Sequence, residues 1–113
     1  MVRWGELITS LLLLFLPMAC SPSAKLSNAE TQGQWLYDGH CAECHENPHP
    51  ELRKQPPSLH RLFLAKSLPS GAPATDEQVS KTIIAGRGTM PAFDRRFREI
   101  DVKELVAYLH KLK

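Results

Sequence analysis

Cys41-Ala42-Glu43-Cys44-His45 is the stretch on which the reading of the whole chain turns. Two thiols three residues apart fall on about one helical turn, and the histidine that follows is carried along beside them. That grouping is the attachment signature of a c-type haem. On that reading Cys41 and Cys44 would each add to one vinyl group, and His45 would be brought under the iron as an axial ligand. Two other chemistries use the same residue types. A zinc site would add two further ligands, with His49 and His60 available, although their spacing makes no clean second pair. A thiol oxidoreductase would place the two cysteines at the start of a helix behind a strand, and no strand pattern precedes them.

The residues upstream bear on the compartment. Arg3, an apolar run from Leu7 to Leu16, and then Pro17-Met18-Ala19-Cys20 follow the grammar of a secretory signal. The run is about ten residues long, short of the roughly twenty a membrane-crossing helix requires. Residues 1–19 are therefore expected to form a signal peptide. The segment resembles a bacterial lipoprotein signal, in which a small residue precedes a Cys that is acylated after cleavage. On that reading Cys20 carries the lipid, residues 20–28 are a polar tether and residues 29–113 form the folded domain. Lipid chains would hold the protein on a membrane surface without spanning it. Ordinary cleavage near Ala19 or Ala24 is the alternative. An extracytoplasmic compartment would tend to oxidise a bare Cys-x-x-Cys to a disulfide, which favours the haem reading of Cys41 and Cys44.

Composition excludes more than it assigns. Fourteen Lys and Arg against twelve Asp and Glu leave a net charge of +2, without the basic footprint of a nucleic-acid binder. Three cysteines are an odd number for a disulfide framework. The chain of 113 residues holds one modest domain. Shortened by its leader, it is close to the size at which an apolar core alone is marginal and a cofactor begins to matter.

Hydrophobic spacing predicts an all-α domain of three to four helices. Ser27 with Glu30 is a capping box opening a first helix through Gly33, Leu36 and Tyr37 to about Gly39. A short helix is expected over residues 58–66, directly after the Pro56-Pro57 breaker. Thr75 with Gln78 opens a third, through Val79, Ile83 and Ile84, that Gly86 ends. Asp101 with Glu104 opens the last, on which Val102, Leu105, Val106, Leu109 and Leu112 form one apolar stripe. No alternating strand pattern and no internal repeat is present.

Once the leader is removed, Met90 is the sole methionine, and it lies in Gly86-Arg87-Gly88-Thr89-Met90-Pro91-Ala92-Phe93, which cannot be regular helix. A methionine off any periodic apolar face is poorly placed as core filler and well placed as a distal ligand. Cys41 to His45, a Pro-x-Leu segment, a late Met-Pro and a terminal helix together resemble class I cytochrome c over essentially the whole mature chain. The resemblance implies a fold wrapped around one covalently bound haem c. Cys41 and Cys44 match the attachment cysteines, His45 the proximal ligand and Met90 the distal thioether ligand. It further implies that Pro57 accepts a hydrogen bond from the proximal imidazole, and that Gly33 meets Tyr108 where the first and last helices cross. Two positions depart from the family pattern: Glu46 stands where many members have Gly, and Pro56 where Gly often precedes the Pro.

Iron held by His45 and Met90 has no open coordination position, so one-electron transfer rather than catalysis at the metal is expected. An apolar shell of Leu59, Leu62, Phe63, Ile83 and Phe93 would disfavour the ferric charge and raise the potential. The partners implied are redox proteins, such as a respiratory complex, an oxidase or a dehydrogenase, met by a monomer outside the cytoplasm. Arg95, Arg96 and Arg98 suggest a basic docking edge; a solvated turn balanced by Asp94 and Glu99 is the alternative. Two further functions stay open: a haem sensor or peroxidase-like enzyme whose distal ligand is labile, and a haem-free metal or thiol protein. His40, His49, His60 and His110 read as surface residues.

Overall fold

A computed structural model describes residues 24–113. The expected signal peptide, Cys20 and the first part of the tether lie outside the described residues. Four α-helices and one 3₁₀ turn follow in order: α1 (Asn28–His40), α2 (Ala42–His45), the 3₁₀ turn (Leu62–Leu64), α3 (Asp76–Ala85) and α4 (Glu99–Leu109). Among the described residues there are no strands, only isolated bridges at Ser67–Pro73 and Arg87–Met90. The all-α expectation therefore holds.

Local chemistry explains where the helices begin. Ser27 caps α1: its hydroxyl accepts from the Glu30 N–H at 3.2 Å, and the Glu30 carboxylate accepts from the Ser27 N–H at 2.8 Å. Those bonds, with Lys111 nearby, hold the Glu30 carboxyl below its usual range. Thr75 caps α3 through the Gln78 N–H at 3.3 Å. The last helix starts earlier than its sequence signal suggested. Arg98 is the N-cap, and Asp101, expected to be the cap, reaches back to the Arg98 backbone N–H at 2.7 Å and to its guanidinium at 2.8 and 3.0 Å. An arginine side chain has no acceptor, so this box is one-sided.

The packing centres on the crossing of α1 with α4. A Cβ at Gly33 would stand 1.9 Å from the Glu104 carbonyl oxygen and 2.8 Å from the Tyr108 Cβ, so only glycine permits the approach. One turn on, Tyr37 and Tyr108 pack with ring centroids 5.4 Å apart. The stripe expected on α4 is buried at Val102, Leu105, Val106 and Leu109. Val79 and Ile83 of α3, with Leu68 and Phe93 from loops, complete the core.

The short helix expected over 58–66 is not formed. Arg61 adopts φ 56°, and its N–H is spent on the Leu112 carbonyl at 2.9 Å, tying the segment to the end of α4. Only the 3₁₀ turn Leu62–Leu64 survives, because a left-handed residue cannot lie inside an α-helix.

Candidate functional site

The site grows from the end of α1. Cys41 caps that helix by donating its N–H to the Tyr37 carbonyl at 2.8 Å, then starts the single turn α2 by accepting from Cys44 at 3.2 Å and His45 at 3.0 Å. Cys41, Cys44 and His45 thus share one turn, and both thiols are free, Cys41 half-buried and Cys44 exposed. Burial, with Cys44 beside it, pushes the Cys41 thiol up to about 11. A thiol–disulfide catalyst needs the opposite shift, so the dithiol reading loses ground. The zinc reading fares no better, since among the described residues no three His, Cys, Asp or Glu converge.

His45 is oriented by its backbone neighbour across a loop. Nδ1 lies 2.7 Å from the Pro57 carbonyl oxygen, which can only accept, so Nδ1 carries a proton and, in the neutral ring, Nε2 is the nitrogen with the lone pair. That is the tautomer a metal-ligating imidazole requires. The intervening loop is stitched by Gln55, which accepts from the His49 N–H at 2.7 Å and donates to the His49 and Leu52 carbonyls at 2.8 and 3.0 Å.

Met90 is placed by a tight turn. Arg87 and Met90 exchange both backbone hydrogen bonds, at 3.1 and 2.9 Å, around Gly88 at φ 56°, the pattern of a II′ turn with glycine in the first central position. Gly86, at φ 70° and ψ 176°, lies against that turn: a Cβ there would be 2.7 Å from the Met90 carbonyl oxygen and 2.8 Å from the Ala92 nitrogen. Phe93 then closes the segment onto α3 through its N–H to Ile83 at 3.1 Å. Cys41, Leu59, Leu62, Phe63 and Met90 are all half-buried against the same core cluster. Phe93 itself is buried, stacked on Phe97 with centroids 4.8 Å apart.

Two free thiols on one turn, an imidazole fixed in its ligating tautomer, and a thioether pinned on a glycine-shaped turn are the donor set a covalent haem needs, so the residues fit the group.

The spacing of motifs did not disclose a polar cluster beside this set. The Glu46 carboxylate accepts from the Tyr37 hydroxyl, and from His60 Nε2 at 2.8 Å on Oε1 and 3.1 Å on Oε2. His60 Nδ1 faces the Lys113 carbonyl. Tyr37 and then His60 hold the Glu46 carboxyl below its ordinary range. The Lys113 carbonyl and then Glu46 raise His60. His110 forms a second cluster, stacked on Phe63 at 3.7 Å and paired with Asp76 at 2.7 Å. Of the four histidines expected at the surface, His60 and His110 are exposed but engaged, His40 is exposed and lies edge-on to Phe93 and Phe97, and His49 is half-buried. Of the three arginines, Arg98 is held by Asp101 and Arg96 lies 5.9 Å above the Phe93 ring; Arg95 makes no ion pair among the described residues.

Residues 28–109 match the protein family described as cytochrome c oxidase, cbb3-type, subunit III. Among solved structures, cytochrome c6 from the diatom Phaeodactylum tricornutum is similar with a TM-score of 0.56 at 20% identity, covering 71% of this chain and 88% of that one. Cytochrome c6C from Synechococcus sp. PCC 7002 is similar with a TM-score of 0.49 at 20% identity, covering 71% and 92% respectively. No curated protein sequence matches the chain. The likeness to the diatom structure, at that identity, is one of fold.

Proposed function

Because the chain belongs to the family described as cytochrome c oxidase, cbb3-type, subunit III, a cytochrome c family of haem-bearing electron carriers, we propose that it is a one-electron shuttle with His45 and Met90 as the two axial ligands of a single haem c. The fold is the all-α cytochrome c fold, and the family implies a covalently attached haem. When bound, the haem would supply one iron that exchanges a single electron between two oxidation states.

The polypeptide supplies the rest. Cys41 and Cys44 hold the group covalently, and His45 presents Nε2 while Pro57 keeps its ring in one orientation. The turn Arg87–Met90 holds the Met90 backbone, and its sulfur would supply a soft donor that favours the reduced state of a bound iron. Leu59, Leu62 and Phe93 add apolar surface that disfavours the additional ferric charge. The observation that carries the proposal is the His45–Pro57 bond, which leaves a ligating nitrogen on the same turn as two free thiols.

Electrons pass to and from other redox proteins, and the family description supports a respiratory oxidase among them. No helix among the described residues is long and apolar enough to cross a membrane. The leader pattern supports an extracytoplasmic protein held at a membrane surface through lipid on Cys20.

Mass and optical spectra test this together. The purified protein should weigh one haem more than its polypeptide and any lipid. It should show a low-spin spectrum with a sulfur-to-iron charge-transfer band that Met90→Ala abolishes. Colourless protein would refute the haem. A high-spin ferric spectrum in the unmutated protein would favour a sensor or peroxidase-like role, and Cys20→Ala that stays membrane-bound would refute the anchor.

A further inference from the structure

Glu46 and His60 have no role in the site as described, yet they bracket it. His45 is bonded to Pro57, and the next bridge along the same two strands of chain joins Glu46 to His60. Those two bridges form the neck of a loop whose interior has a separate staple, Gln55. The neck is fixed from outside at two points, by the Tyr37 hydroxyl of α1 on Glu46 and by the Lys113 carbonyl on His60. Both ring nitrogens of His60 face groups that only accept, so both contacts are hydrogen bonds when the ring carries a proton on each nitrogen. Pro57, which makes the first bridge, and Pro56 before it have locked φ angles, and only Ser58 and Leu59 separate Pro57 from His60.

We propose that Glu46 and His60 are positioning residues: their bridge clamps the neck of the loop to α1 and to the C-terminal segment, and so holds the Pro57 carbonyl on the His45 Nδ1–H. The clamp rests on the reading of His45 as an iron ligand. Through that bond it sets the basicity of the ligating nitrogen, and with it the reduction potential.

The test uses the full-length holoprotein, reduced and labelled with ¹⁵N-histidine, and follows solvent exchange of the His45 Nδ1 proton together with the midpoint potential. Glu46→Ala and His60→Ala should each speed exchange about three- to tenfold, the loss of one hydrogen bond's restraint, and should shift the potential in the same direction. The double variant should go no further than the larger single one. Glu46→Gln, whose Oε1 can still take both donors, should keep wild-type exchange. Thr75→Ala, which removes only the α3 cap, should lower stability without touching exchange. Wild-type exchange and potential in both alanine variants, or equal acceleration in Thr75→Ala, would overturn the clamp. If His60→Ala fails to fold, Tyr37→Phe removes a single O–H from Glu46: a smaller acceleration of the same sign supports the clamp, and none overturns it. Haem missing from the unmutated protein would instead overturn the ligand reading before any variant is made, and the clamp with it.

Discussion

Gly33→Ala isolates the helix crossing on which the site is mounted. In the interior of α1 such a change should by itself stabilise the helix by about 0.5–1 kcal/mol, because alanine has less backbone entropy to lose. At Gly33 the added Cβ would stand 1.9 Å from the Glu104 carbonyl oxygen and 2.6 Å from its carbon, against the 3.4 Å at which ordinary contact begins. That oxygen belongs to the backbone of α4 and cannot rotate away, so the two helices must part by the 1.5 Å difference. A gap of even 0.5–1 Å forfeits about a quarter to a half of each dispersion contact, and the buried Tyr37 packs on Tyr108 across this interface. We expect a net loss of about 2–3 kcal/mol, near the upper end of overpacking penalties. At roughly 4–8 °C per kcal/mol for a domain of this size, the melting temperature should fall by about 10–20 °C. Thermal and denaturant unfolding of the oxidised holoprotein measures it. Gly39→Ala is the internal control, since a Cβ there meets nothing within 4 Å and should be neutral or mildly stabilising. Equal stabilities for the two alanine variants would refute the close-crossing argument.

Gly86→Ala should cost about 2–4 kcal/mol, because its backbone occupies a region essentially reserved for glycine and its Cβ would push into Met90–Ala92; a charge-transfer band unchanged from wild type would show that Gly86 does not place the Met90 sulfur. His60 is raised above its ordinary pKa of 6.5, so its bridge contributes stability in full below pH 6.5 and loses it as pH climbs through the raised value. The stability difference between wild type and His60→Ala should therefore shrink from pH 6 to pH 9 in denaturant titrations, and a constant difference would contradict the sign. Arg95→Ala with Arg96→Ala should slow electron transfer at low salt and matter less at high salt, whereas Arg98→Ala, already neutralised by Asp101, should act on unfolding rather than on transfer rate; stopped-flow rates across ionic strength separate the two.

What could be read from the sequence was whatever spacing along the chain determines. Cys41, Cys44 and His45 share a turn because they lie within five consecutive residues. The caps at Ser27 and Thr75 and the stripe on α4 are likewise local and periodic, and all three are present. The boundary errors arose where local signals competed. Asp101 has a capping residue's chemistry, but in α4 its carboxylate serves the preceding N–H and the guanidinium of Arg98. Leu59, Leu62 and Phe63 have helical spacing, yet Arg61 is recruited by Leu112 at the far end of the chain. His60 and Lys113 are 53 positions apart, and His110 and Asp76 are 34 apart. No periodicity records such meetings.

The departures from the family pattern become intelligible on the same grounds. A glycine after the ligand histidine is needed only if that residue must adopt positive φ. Here Glu46 sits at φ −95° and ψ −26°, a right-handed conformation open to any residue. The position therefore loses nothing in backbone freedom by carrying a side chain, and the side chain it carries reaches both Tyr37 and His60. Backbone strain has moved to Arg61, the one non-glycine residue at positive φ among the described residues, at a cost of about 1–2 kcal/mol. What offsets it is the hydrogen bond from Arg61 to Leu112, which anchors to the C-terminal segment just past α4 the same stretch that holds His60 and, three residues before it, the Pro57 carbonyl. The strained residue and the unstrained glutamate thus brace the loop from opposite sides, and the orientation of the His45 ring depends on both.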